Sequence, residues 1–388
     1  MPRRNRLTIR YAPHMPLTIT SNFDSGAIEV IRADRADDLH VRIRNDSHAP
    51  FAQWFHFRLS GARGTPCVLT FDNASQSSYP RGWEGYNVAA SYDHEHWFRL
   101  PSTYDGTALQ VRFTPTHDTL YFAYFEPYSW ERHLSFLGEA QRHARVEIRR
   151  LGSTVEGRDL DLIVLPASDP NAQQNIWLIA RQHPGETMAE WFAEGFTRRL
   201  LDTSDPVATT LRQRANFYIV PNMNPDGSVR GNLRTNATGA NLNREWSTPS
   251  LATSPEVFHV RQALHDAPPT MFFDAHGDEG IPYNFVSGCE MLPGISAAQK
   301  AIQQKFIDDF VRASPDFQTQ YGYSAGRYST DALKLASKYI GHTFGCLSLT
   351  LEMPFKDNDG LPNKATGWNG ARSKTLGAAM VGVVLGNL

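Results

Sequence analysis

Cysteine is scarce in this chain of 388 residues. Cys67, Cys289 and Cys346 are odd in number, widely spaced and without a CxxC pair. That excludes a disulfide framework and a thiolate zinc site. Long apolar runs are missing as well: no stretch approaches the roughly 18–20 residues that cross a bilayer. The opening "MPRRNRLTIRYAPHMPLTIT" has basic residues but no apolar core of signal-peptide length. Charge of one sign is absent too, since 38 Lys and Arg stand against 40 Asp and Glu, for a formal net charge of −2. Nucleic acid and anionic membrane therefore have no electrostatic claim as partners. The cluster Arg3, Arg4, Arg6 and Arg10 reads as a solvated terminus. What these absences leave is a cytoplasmic enzyme or binding protein.

The residues that are present fall into two textures. Up to about residue 130, short stretches such as "LTITSNF", "HVRIRND", "QWFHFRLSG" and "PCVLTFDNA" alternate apolar and polar positions between Gly, Pro, Asn and Asp. This pattern predicts an antiparallel β-sandwich. Beyond it, strand and helix patterns alternate, with helices expected near 129–144, from about Thr187, over 255–266, 296–313 and 330–338, and from about Gly370. Such alternation predicts an α/β domain whose mixed, mostly parallel sheet carries helices on both faces. The expected division is 1–130 for the sandwich and 131–388 for the α/β domain.

The chemistry-bearing residues sit where strands end. In "NIWLIARQHPGET", a buried strand runs into His183, breaks at Pro184 and Gly185, and presents Glu186 before a helix. Alone, this is an ordinary βα turn in which Glu186 favours the helix dipole. In "TMFFDAHGDEG", His276 ends a second apolar strand. Two histidines and a carboxylate are a common catalytic zinc set that leaves a fourth position for water. Asp274 would orient His276 or simply end the strand; the residues leave both open. In "CLSLTLEMPF", Glu352 closes a third strand, where a buried carboxylate needs solvent, a cation or a raised pKa. Beside a metal it would serve as general base; without one it is a strand-end carboxylate in a salt bridge. His183, Glu186, His276 and Glu352 all fall at carboxyl ends of strands, where ligands gather in open α/β sheets. The loop "RGNLRTNATGANLNREW" adds Arg234, Asn241, Asn243 and Arg244, donors suited to a carboxylate and a developing oxyanion.

HPGE, NxNPDG, GxNLNRxW, a strand-end histidine and a TLE glutamate together resemble the zinc metallocarboxypeptidases, most closely the cytosolic carboxypeptidase branch. The resemblance covers nearly the whole chain, because that branch places a β-sandwich before its catalytic domain and joins them near a Pro-Tyr-Ser sequence, here Pro127-Tyr128-Ser129. It implies one Zn2+ held by His183, Glu186 and His276, with Glu352 as base. It also implies that Asn243 and Arg244 bind the terminal carboxylate of a peptide or protein substrate, and that Arg234 polarises the scissile carbonyl. A tyrosine that covers the substrate is sought among Tyr321, Tyr323 and Tyr328, with Tyr328 preferred. Arg327 would face an acidic side chain, since some cytosolic members remove glutamates. Two other readings are kept: an aspartoacylase-like zinc amidohydrolase acting on small N-acyl amino acids, and an inactive binding protein.

Overall fold

The protein's structure, a computed structural model, describes residues 16–290, 292, 294–324 and 331–388. Among the described residues, the first part is built from ten strands: β1 (Thr18–Thr20), β2 (Glu29–Arg32), β3 (Leu39–Arg42), β4 (His56–Ser60), β5 (Cys67–Phe71), β6 (Val88–Ser91), β7 (Trp97–Leu100), β8 (Ser102–Tyr104), β9 (Leu109–Phe113) and β10 (Thr119–Ala123). They form two five-stranded sheets, ordered β1-β4-β10-β6-β7 and β2-β3-β5-β9-β8. Inward-facing aromatics join them: Phe55 meets Phe71 at 4.6 Å between ring centroids, and Phe113 meets Phe122 at 5.2 Å. Each fully buried side chain of this size contributes about 1.5–3 kcal/mol. The expected antiparallel sandwich is there with one exception, a parallel β3–β5 pair. The chain crosses to the other sheet as β4 and returns pointing the same way.

The second part begins at α1 (Trp130–Ala140), where the Ser129 hydroxyl accepts the Arg132 N–H at 3.2 Å. There follow β11 (Glu147–Ser153), β12 (Asp159–Leu165), β13 (Gln174–Ala180), α2 (Met188–Leu201), α3 (Pro206–Arg214), β14 (Ala215–Val220), α4 (Pro225–Arg230), α5 (Pro255–Asp266), β15 (Met271–Asp278), β16 (Phe285–Ser287), α6 (Ala297–Ala313), α7 (Ala336–Phe344), β17 (Leu347–Pro354) and α8 (Gly370–Gly386). The sheet order is β11-β12-β14-β13-β15-β17-β16. Parallel pairing is confined to the four central strands, while β11, β12 and β16 attach antiparallel. Central strands are covered on both faces and read as near-continuous apolar runs. Ile176 and Leu178 face the core shared with α2, α6 and α8; Trp177 and Ile179 face the one shared with α5 and α7.

The expected helix over 330–338 differs. A 3-10 turn at Ala332–Lys334 precedes an extended Leu335, and α7 runs on to Gly345, whose φ of 66° ends it. α3 and α4 were not expected; each starts on proline behind an Asp205 or Asn224 cap. The two parts share one continuous core. Tyr124 stacks on Phe355 at 4.4 Å, and Arg99 donates to the carbonyls of Phe355 and Trp368 at 2.8 and 3.1 Å. Among the described residues, no helix is long and apolar enough to cross a membrane.

Candidate active site

β13 delivers His183 through a strained turn. Arg181 has φ 59°, a region that costs a non-glycine residue about 1–3 kcal/mol. Its buried guanidinium offsets that cost by donating to Pro184 O at 2.9 Å, Tyr128 O at 2.8 Å and the Glu190 carboxylate at 2.7 Å. Gly185 is required by close approach, since a Cβ there would lie 2.9 Å from Leu233 O. β15 and β17 run parallel with His276 in register beside Glu352, so both side chains leave the sheet at the same end.

The structure brings the predicted His183, Glu186 and His276 together. Their candidate ligand atoms lie within 4.8 Å of one another, and all three residues are buried. The Glu186 carboxylate bridges the two imidazoles at 2.7 Å from each Nδ1, while Gly277 N–H donates to Oε2 at 3.0 Å. Each Nε2 has an outer partner: Asn241 Oδ1 at 3.0 Å for His183, and Asp274 Oδ2 at 3.0 Å for His276. Asp274 is thus a partner of His276 rather than a bare strand-end residue. Gln182 extends the network, donating to Asp274 at 2.7 Å and accepting from Trp246 at 2.8 Å. Outer partners of this kind fix imidazole orientation and raise ligand basicity.

The donor set fits a zinc ion. Two Nδ1 atoms and a carboxylate converge, with the remaining nitrogens engaged elsewhere. Burial, aided by Arg234, pushes His183 down to about 3, so it is neutral and ready to ligate. Burial would raise Glu186, yet His183 and His276 hold it below the usual carboxylate range. Burial opposes protonation of His276, but Asp274 and Glu186 raise its pKa well above normal. That proton gives way when a metal binds. Glu352 is pushed up to about 8, first by burial and also by Glu186 and Asp278, against the lowering by His276 and a Tyr323 hydrogen bond. Its Oε2 is buried without a hydrogen-bond partner, and a cation beside it would reverse this logic.

A cleft of about 590 Å³ opens over these groups, lined by Arg234, Asn243, Arg244, Tyr323, Lys338 and, from the sandwich, Tyr79, Arg81 and Gly82. The Tyr323 hydroxyl reaches Glu352 Oε1 at 3.0 Å and Asp278 at 2.9 Å. Asn243 is anchored by the Ala336 N–H at 2.9 Å, which leaves its Nδ2 3.3 Å from His276 Nε2. Arg244 donates to Asn243 O at 2.7 Å. The predicted Tyr328 and Arg327 lie outside the described residues. Sequence reasoning missed Lys338, which carries no motif and sits on a helix whose polar positions read as solvated. It also missed Gln182, legible only as the neighbour of His183, and the lining from Tyr79 to Gly82, which no local pattern announces.

A family profile described as cytosolic carboxypeptidase N-terminal domain matches residues 19–125, and one described as zinc carboxypeptidase matches residues 134–367. A metallo-carboxypeptidase structure from Burkholderia cenocepacia is 56% identical, with TM-score 0.94 over 96% of this chain and 99% of its own. A metallo-carboxypeptidase from Pseudomonas aeruginosa, solved in complex with (2-guanidinoethylmercapto)succinic acid, is 43% identical with TM-score 0.92 over 95% and 98%. Cytosolic carboxypeptidase 4 of Mus musculus is 28% identical over 71% of this chain, which spans only 29% of the mouse protein. With these matches over a His-Glu-His centre at the carboxyl ends of a mixed sheet, the chain belongs to the zinc carboxypeptidase family.

Proposed function

We propose that this chain hydrolyses the C-terminal peptide bond of peptides or proteins, using one Zn2+ held by His183 Nδ1, the Glu186 carboxylate and His276 Nδ1. The observation that carries the reading is the convergence of those ligand atoms within 4.8 Å beneath a cleft lined by Arg234 and Arg244. When bound, zinc supplies Lewis-acid polarisation of the scissile carbonyl. Glu352 takes the proton of the attacking water and returns it to the leaving amine. Arg234 faces the developing oxyanion. Arg244, beside Asn243, pairs with the substrate's terminal carboxylate through parallel N–H bonds. That clamp distinguishes an exopeptidase from an endopeptidase.

The family profile and the similar structures described above are those of carboxypeptidases, and the deacylase and binding-protein readings gain no support from them. The relatives' name and three unpaired thiols support a cytoplasmic setting. For the finer specificity we propose an acidic last residue. Lys338 lines the cleft and donates to Ser287 Oγ at 3.1 Å and to the Gly288 carbonyl. A buried ammonium among neutral acceptors gains most from a carboxylate partner. The Pseudomonas ligand carries two carboxylates, which suit such cations, and a guanidinium, which does not.

The test is turnover of zinc-loaded protein on peptides ending in Glu, Asp, Arg or Phe, each with a free and an amidated C-terminus. Release of single residues from free ends alone is expected, fastest for Glu and Asp. Equal cleavage of amidated peptides would overturn the exopeptidase reading, and a preference for Arg would overturn the acidic one.

A further inference from the structure

Arg234 reaches the cleft from a loop that the sandwich holds in place. The backbone N–H groups of Leu233, Arg234 and Thr235 all donate to the Asp46 carboxylate, at 2.5, 2.8 and 2.9 Å, and the Thr235 hydroxyl adds a fourth bond at 2.9 Å. Asp46 is 6% exposed and lies between β3 and β4. Three successive amides on one carboxylate form an anion-binding concavity that fixes the backbone at residue 234. Ser47 reinforces it, donating through N–H and hydroxyl to Asn232 Oδ1 at 3.0 and 3.2 Å. The guanidinium is flanked by two rings of the sandwich, with Cζ 5.6 Å from the centroids of both Phe51 and Tyr79. Contact is close enough that a Cβ on Gly239 would lie 2.4 Å from His48 O.

We infer that Asp46 is a positioning residue for the hydrolytic reaction: it clamps the 233–235 backbone so that Arg234 points at the scissile carbonyl, which makes the sandwich part of the active site. The inference rests on the proposed role of Arg234. A carboxylate suits the task because it accepts several N–H groups at once; an amide would turn an NH2 against donors that already face it. A displacement of about 1 Å at a catalytic group costs up to about 100-fold in rate.

The experiment is a double-mutant cycle on the zinc-loaded full chain with Asp46→Asn and Arg234→Ala, reading kcat and KM separately. Zinc content and hydrogen exchange of the 230–239 amides are measured on the same samples. Asp46→Asn is expected to lower kcat about 10–100-fold with KM within about twofold and zinc retained, while exchange over 230–239 quickens. In the Arg234→Ala background the same change is expected to cost nothing more. An equal loss in both backgrounds would overturn the inference, since Asp46 would then act through general structure. No loss of kcat in Arg234→Ala alone would overturn the parent role of Arg234 and the inference with it. Asp46→Glu, which keeps the charge and shifts it by one methylene, runs the same cycle if Asp46→Asn does not fold.

Discussion

Glu352 meets a conflict that a solvated carboxylate never does. It is buried beside Glu186 and Asp278, one oxygen has no hydrogen-bond partner, and its pKa is pushed up to about 8. With a cation held at Glu186 that conflict would be relieved, and Glu352 would be left ionised and able to accept a proton. Glu352→Gln is nearly isosteric, so zinc should stay at one ion per chain by elemental analysis while kcat falls about 10²–10⁴-fold. Retained turnover would remove Glu352 from the role of base. Asp274 acts through His276 rather than on substrate, so Asp274→Ala should weaken zinc binding by about 10–100-fold in competition with a chelator. Unchanged affinity would show that the 3.0 Å contact to Nε2 does not orient the ring.

At the level of elements, α1, α2 and the turn after β13 meet in one buried ionic network. His133 on α1 bonds Glu190 of α2 at 2.7 Å and contacts Asp161 of β12 at 3.4 Å, while Arg181 bonds Glu190 from the other side. Burial opposes a charged His133, yet Asp161 and Glu190 win and raise it to about 9. An unfolded histidine titrates near 6.5, so the folded state binds this proton more tightly. The resulting stabilisation, on the order of 3 kcal/mol, is fully present below about pH 6.5 and is lost as pH rises through about 9. Urea melts between pH 6 and 10 should show this decline, and His133→Phe should flatten it; an unchanged slope would exclude His133 as its source. Arg181→Met leaves Glu190 short of its buried cation and should destabilise by about 3–5 kcal/mol. Equilibrium unfolding checks it, and a loss below about 1 kcal/mol would mean that His133 and Asn222 satisfy Glu190 alone. Local signals placed most helices well, because caps and periodicity act within one or two turns. Where 330–338 was expected as one helix, extended Leu335 divides a 3-10 turn from α7. At that break Leu335 lines the cleft and the Ala336 N–H donates to Asn243 Oδ1 at 2.9 Å, contacts with residues distant in sequence.

For the whole molecule, the division near residue 130 is one of sequence pattern, and we propose that both parts fold as a single unit. One core runs through both, joined by Tyr124 on Phe355 and by Arg99 on the β17 and α8 ends. Fluorescence and circular dichroism should therefore report coincident urea transitions for the full chain, and residues 131–388 alone should not give a cooperative one. Two separated transitions would show independent folding. Strand ends and special turns are written in local residue types, so the architecture class was legible in the residues, as was the gathering of His183, Glu186, His276 and Glu352 at one end of the sheet. It took the packed fold to show that Asp46 accepts from the Arg234 backbone, that Phe51 and Tyr79 flank its guanidinium, that Tyr323 reaches Glu352, and that Lys338 lines the cleft. These are contacts between residues far apart along the chain, and nothing local in the sequence specifies which distant side chain closes on a loop once the core has packed.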